Sequence, residues 1–151
     1  MKIKHTTFIL IIAIASFCLA CNNQSTCIPQ HSDLLEISFV DQSGKAKEIK
    51  LVSVNVQGSN ANFPSIKDSV VTTLSLPLNP LDTSIILSIN SDTAINDLAF
   101  SYKVLPVLIA PECGIETKFD FLKIESTNFK NVIVINQTLN KDIETNVEIT
   151  H

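Results

Sequence analysis

Residues 84–104 read Ser-Ile-Ile-Leu-Ser-Ile-Asn-Ser-Asp-Thr-Ala-Ile-Asn-Asp-Leu-Ala-Phe-Ser-Tyr-Lys-Val, two runs of alternating apolar residues joined by a polar cluster. Ile85, Leu87 and Ile89 share one parity in the first run, and Leu98, Phe100, Tyr102 and Val104 share one in the second. Successive side chains of a strand point to opposite faces, so each run sets an apolar face on a core and a polar face toward water. Asn90-Ser91-Asp92-Thr93 consists of residues whose short side chains hydrogen-bond the local backbone and favour turns. The stretch therefore predicts two neighbouring strands.

The same grammar extends outward. Leu35, Ile37 and Phe39 mark a first strand, and Asp41-Gln42-Ser43-Gly44 a turn. From Glu48 to Val56 the parity changes, with Ile49 and Leu51 on one side and Val52, Val54 and Val56 on the other. That switch predicts a β-bulge near Leu51 and Val52, or a passage between sheets. Gly58 to Pro64 reads as a loop. Ser69 to Leu78 reads as one strand with Val70, Leu74, Leu76 and Leu78 on one face and Pro77 at its edge or end. Asn79-Pro80-Leu81-Asp82 is turn chemistry, and Pro106 to Pro111 reads as an extended edge or connection. Ile115, Thr117, Phe119 and Phe121 form a further strand, and Asn131–Ile135 and Asn146–Ile149 the last two. No stretch sustains a 3.6-residue period. Seven or eight strands in about 120 residues predict an all-β fold, an immunoglobulin-like two-sheet antiparallel sandwich. A small closed barrel is the alternative that periodicity does not separate.

Composition agrees with this. The chain has 151 residues, 45% of them apolar, which suits one domain with a modest core. All eleven basic residues are Lys and the net charge is −4, so the clustered basic surface of a nucleic-acid binder is not expected. Trp is absent and Tyr102 is the single Tyr, which leaves few aromatic platforms for a binding face.

The first 20 residues have a different character. Met1–Thr7 carries Lys2 and Lys4 without an acid, and Phe8–Phe17 (FILIIAIASF) is an uninterrupted h-region ending in small residues. The apolar or small residues from Phe8 to Ala20 fall short of the ~20 that a spanning helix needs, so residues 1–20 read as a signal peptide. Removal of the two leader lysines takes the net charge to −6. Cys18-Leu19-Ala20-Cys21 resembles a lipobox, with Cys21 as the lipid acceptor. It departs from the usual pattern in placing Leu two rather than three residues before the acceptor. Ordinary cleavage after Ala20 is the competing reading.

The four cysteines separate these two readings. Cys18 leaves with the leader; if Cys21 is acylated, Cys27 and Cys113 remain as an even pair in an oxidising compartment. Without acylation one thiol is left over. A Cys27–Cys113 disulfide closes a loop of about 86 residues, worth roughly 4–5 kcal/mol in the chain-entropy account. Metal binding competes weakly, since the only CxxC, Cys18 to Cys21, is split when the leader leaves, and only His31 and His151 survive maturation as imidazoles. Residues 21–33 then form a lipidated tether with Pro29, and residues 34–151 the sandwich domain.

Cys27, the Phe100-Ser101-Tyr102-Lys103 strand and the Pro111-Glu112-Cys113-Gly114-Ile115 element together resemble a family of small Bacteroidota lipoproteins of unknown function. The resemblance covers most of residues 27–135, and Ile115 stands where that family suggests an aromatic residue. It implies export, a β-sandwich and paired cysteines, and no activity. Asp68-Ser69-Val70 and Asp92-Thr93-Ala94 resemble the O-glycosylation triplet of exported Bacteroidota proteins, which makes Thr93 and Ser69 candidate acceptors, Thr93 first because it lies in a turn.

Little else suggests chemistry. His31 falls in the tether and His151 at the end of the chain, so neither is readily set beside a nucleophile. There is no nucleophile elbow, HExxH helix or phosphate-binding Gly loop. Asp92 to Asp97 with Asn90 is a conceivable calcium loop without the ordered spacing or bidentate Glu of a defined one. A carboxylate pair for glycoside hydrolysis stays open.

The expectation is a non-enzymatic binding or structural module of the cell envelope, without cofactor, metal or catalytic set. Its partner is the outer membrane, through Cys21. Asn22-Asn23-Gln24-Ser25 and the lack of an acid before Asp33 favour a periplasmic orientation. A surface module binding glycan or protein through the loops at one end of the sandwich, and a small periplasmic hydrolase, are the alternatives.

Overall fold

A computed structural model describes residues 33–58, 66–110, 114–140 and 144–151. Its strands are β1 (Leu34–Val40), β2 (Ile49–Val56), β3 (Ser69–Val71), β4 (Thr73–Pro77) and β5 (Ser84–Ser91), followed by β6 (Ile95–Ala110), β7 (Gly114–Thr127), β8 (Asn131–Val134) and β9 (Val147–Thr150). They form two sheets, of order β4-β1-β9-β8 and β3-β2-β5-β6-β7. The expected two-sheet sandwich is the fold.

The alternating runs do what their parity dictates. Leu35, Ile37 and Phe39 of β1 face Leu51, Leu87, Leu98 and Phe100 of the larger sheet in one core. Each fully buried side chain of this kind contributes roughly 1.5–3 kcal/mol relative to exposure. The parity switch in β2 is a register shift between Leu51 and Ser53 against β5, which turns both Leu51 and Val54 inward. Six of the seven strand ladders among the described residues are antiparallel; β1 and β9 instead pair in parallel, Ile37 opposite Val147 and Phe39 opposite Ile149.

Two expectations change, and one open choice closes. Ser69–Leu78 is two strands rather than one, because the chain crosses between sheets at Thr72, whose carbonyl accepts from Phe39 N at 2.9 Å. The crossing reverses the inward parity, so Leu74 and Leu76 are buried while Val70 is exposed. This split is what raises the count to nine. Of the two readings of Pro106–Pro111, the extended one holds over the connection: Pro106–Ala110 is the outer part of β6, which pairs with β7 up to Ala110–Gly114. Phe121 does not share a face with Phe119. The β6–β7 register shifts between Ser101 and Lys103, Phe121 takes a φ of 57°, and Leu122 turns inward in its place. Lys103 Nζ sits 4.6 Å from the centre of the exposed Phe121 ring.

One buried polar residue organises the smaller sheet. Asn146 is fully buried; its Oδ1 accepts from Glu36 N at 3.0 Å, and its Nδ2 donates to Thr138 O at 3.0 Å and Asn136 O at 3.3 Å. Its own N–H donates to Glu36 O at 2.8 Å. The side chain thus serves the backbone of β1 and of the segment after β8, where no ladder exists to do so.

The sandwich has two ends. At one, β1 begins at Leu34 opposite Pro77, and Tyr102 Oη donates to Asn79 O at 3.1 Å. At the other lie the β1–β2, β5–β6 and β7–β8 turns and the end of β9, where His151 N donates to Val40 O at 3.0 Å.

Candidate functional site

The turns at the second end enclose a groove of about 650 Å³. Gln42 comes from the β1–β2 turn, Thr93 and Ala94 from the β5–β6 turn, Asn96 from the start of β6, Asn128, Phe129 and Lys130 from the β7–β8 turn, and His151 follows β9.

Each turn is fixed by its own polar residues. The Asp41 carboxylate accepts from Ser43 Oγ at 2.7 Å, Ser43 N at 2.8 Å and Lys45 N at 3.0 Å, and Gly44 supplies the left-handed φ of 78°. Those bonds, the Ser43 hydroxyl first, hold the Asp41 carboxyl below its ordinary value, because they serve the charged form. In the next turn Ser91 N donates to Ala94 O at 2.9 Å, and Ala94 N donates to Ser91 Oγ at 3.2 Å. In the third, Asn128 Oδ1 accepts from Asp97 N at 2.7 Å, and Phe129 N donates to Thr127 Oγ1 at 3.1 Å. The loops are built rather than loosely strung.

That leaves some lining groups committed and others available. Asn128 Oδ1 is used as above, and Asn131 Nδ2 donates to Thr150 Oγ1 at 3.2 Å. The side-chain amides of Gln42 and Asn96 have no partner among the described residues, and Lys130 is exposed. Phe129 is half-buried, packed on the core with one face toward the groove. No Asp or Glu side chain lines the groove among the described residues. Free amides both donate and accept, so the groove suits a neutral, hydroxyl-bearing ligand resting on the Phe129 ring.

Cys21, Cys27 and Cys113 lie outside the described residues, as does His31. Of the two candidate glycosylation acceptors, Ser69 is half-buried and its Oγ donates to Ile66 O at 2.6 Å. Thr93 is exposed at the groove, with Oγ1 3.2 Å from Ser91 Oγ. Among the described residues no group of three or more His, Cys, Asp or Glu side chains gathers as a metal site, Asp92 and Asp97 included. No described helix is long and apolar enough to cross a membrane.

A second depression, about 560 Å³, lies at the opposite end against Tyr102, Asn79, Asp82 and Ile86. The Tyr102 ring meets Phe119 edge-on, with centroids 5.7 Å apart and planes at 74°. Burial, then the Asp82 charge, raises the Tyr102 hydroxyl above its ordinary value. Its hydroxyl is committed to Asn79, so it acts as a fastener for the turn.

Sequence reading reached Thr93 and the turns but missed the groove. Gln42, Asn96 and Asn128 lie in separate segments, and nothing in their local sequence distinguishes a lining amide from an ordinary turn amide. Comparison with protein-family models, curated proteins and solved structures finds no match.

Proposed function

We propose that this chain is a cell-envelope lipoprotein, acylated at Cys21 in the outer membrane and facing the periplasm, whose sandwich is a non-enzymatic glycan-binding module. The observation that carries this reading is the polarity of β1. The tether enters at Leu34, and the amide-lined groove opens past Val40 at the other end of the same strand. A domain held at its Leu34 end presents that groove away from the membrane.

The supporting parts are the lipobox-like Cys18–Cys21 junction, the resemblance to small Bacteroidota lipoproteins, and the pairing it implies for Cys27 and Cys113. Thr93 is the acceptor we assign if the protein is O-glycosylated, because it is exposed in a turn, while Ser69 is half-buried at a strand start.

Two measurements test the reading. The intact mass of the mature protein should carry a diacylglyceryl group; an unmodified Cys21 thiol defeats the anchor. Glycan-array binding should weaken at least roughly tenfold in Gln42→Ala/Asn96→Ala, the loss of about 1.4 kcal/mol from two hydrogen bonds. Binding that survives both changes moves the site elsewhere. For the disulfide, Cys113→Ser should melt below the wild type in oxidant and alongside it in reductant.

A further inference from the structure

The neutral, hydroxyl-bearing part of a ligand is served by the Gln42 and Asn96 amides and the Phe129 ring, which leaves the rest of the β7–β8 turn without a task. Asn128 in that turn is clamped at two points. Its N–H donates to Asp97 O at 3.3 Å, and its Oδ1 accepts from Asp97 N at 2.7 Å. The clamp fixes which way the amide lies. With Oδ1 spent on β6, the end left for a ligand is Nδ2, whose two hydrogens meet no acceptor among the described residues. Two residues on, Lys130 is exposed and has no ion-pair partner among the described residues. Asn128 and Lys130 both line the groove, and between them they offer donors and a positive charge. Asn131 is turned the other way, since its Nδ2 donates to Thr150 Oγ1 at 3.2 Å and leaves Oδ1 for a hydroxyl.

Acids keep clear of this lining. The chain is acidic overall, at −4, so a lining with a lysine and no Asp or Glu among the described residues is a local reversal. Asp41, next to Gln42, spends its carboxylate on its own turn, where Ser43 Oγ donates at 2.7 Å and Lys45 N at 3.0 Å. Asp97, next to Asn96, points to the opposite face of β6, beside its register partner Ser88. Asp92 is exposed in its turn and is not a lining residue. The main-chain oxygen of His151 is met by Lys47 Nζ at 2.7 Å.

We infer that the groove takes an acidic glycan, with the negative group of the sugar seated on Asn128 Nδ2 and Lys130 Nζ. This rests on the glycan-binding reading and adds to it the charge of the ligand. The group carries a single negative charge, as a carboxylate or a sulfate ester, because one lysine answers it. Such a group only accepts hydrogen bonds, so oriented donors beside a cation, with no acid competing for them, match it. Because the clamp orients Asn128 before any ligand arrives, its donors need no rearrangement to bind.

The test is an array of neutral glycans beside counterparts carrying uronic acid, sialic acid or sulfate ester groups. It is probed with the full-length wild type, Asn128→Asp, Lys130→Gln and Gln42→Ala/Asn96→Ala. Asn128→Asp keeps an oxygen for Asp97 N and sets a carboxylate where the donors were, and Lys130→Gln removes one charge from an exposed site. The wild type should retain charged glycans at least about fivefold more tightly than their neutral counterparts, and each single change should erase that preference. The preference should also shrink as sodium chloride rises from about 0.05 to 0.5 M. The carboxylate and sulfate spots tell which group is held. Equal retention of charged and neutral glycans, or a preference that survives both single changes, overturns the inference. If that retention is still lost in Gln42→Ala/Asn96→Ala, the glycan-binding reading stands without it. Retention of no glycan removes the reading and the inference together. Lys130→Gln alone decides if Asn128→Asp melts below the wild type.

Discussion

The inner and outer halves of the β6–β7 hairpin obey one rule of alternation and meet opposite fates. Leu98 and Phe100 are almost wholly buried, while Leu108, eight residues beyond Phe100 and of the same parity, is mostly exposed. Nothing in the strand pattern separates them. What differs is the opposing sheet, which backs the first half and ends before the second. Alternation thus specifies which residues share a face, and only tertiary context decides whether that face is covered.

Mutations sharpen that contrast. Phe100→Ala should have the largest effect, about 3–5 kcal/mol in a denaturant titration, because it removes a large buried ring from a core that collapses only partly. Asn146→Ala follows at about 2–4 kcal/mol, since Glu36 N, Thr138 O and Asn136 O lose their partner in a buried place. It should also loosen the segment that backs Phe119, read as faster amide exchange at Leu139 N.

Tyr102→Phe, at the boundary between the halves, should cost about 1 kcal/mol for one hydrogen bond. It should also change the alkaline behaviour. The folded Tyr102 hydroxyl titrates above its unfolded value, so its contribution is complete below pH 10 and is lost as pH rises through the folded value. Melting temperatures of the wild type should therefore fall more steeply above pH 10 than those of Tyr102→Phe. Leu108→Ala should have the smallest effect, within roughly 0.5 kcal/mol, as for an exposed site. A loss above about 2 kcal/mol there would break the contrast and show that the outer half is covered in the free protein.

Much of the fold was legible in sequence because β1, β5 and the inner part of β6 each stay on one sheet from end to end, so parity maps directly to burial. It failed where the chain changed its relation to the core. Thr72 passes between sheets and Phe121 occupies a bulge, and both reverse the inward parity with no local marker. Asn146 reads as a strand start because its partner Glu36 lies 110 residues away. The groove was hidden for a related reason: its amides gather from two turns and the start of β6, each a place where Asn or Gln is ordinary. The Bacteroidota resemblance rests largely on cysteines that lie outside the described residues, so this geometry does not bear on it.

The parallel pairing of β1 with β9 has a mechanical consequence. β1 starts at the end opposite the groove and β9 finishes at the groove end, and they lie side by side over four register pairs, with five more joining β1 to β4. A pull between the start of β1 and the end of β9 therefore runs along these strands, loading their rungs in shear so that all must fail together instead of parting one by one. Optical-tweezer extension between Leu34 and His151 should meet a single high rupture force, where a gradual release would mean the strands peel.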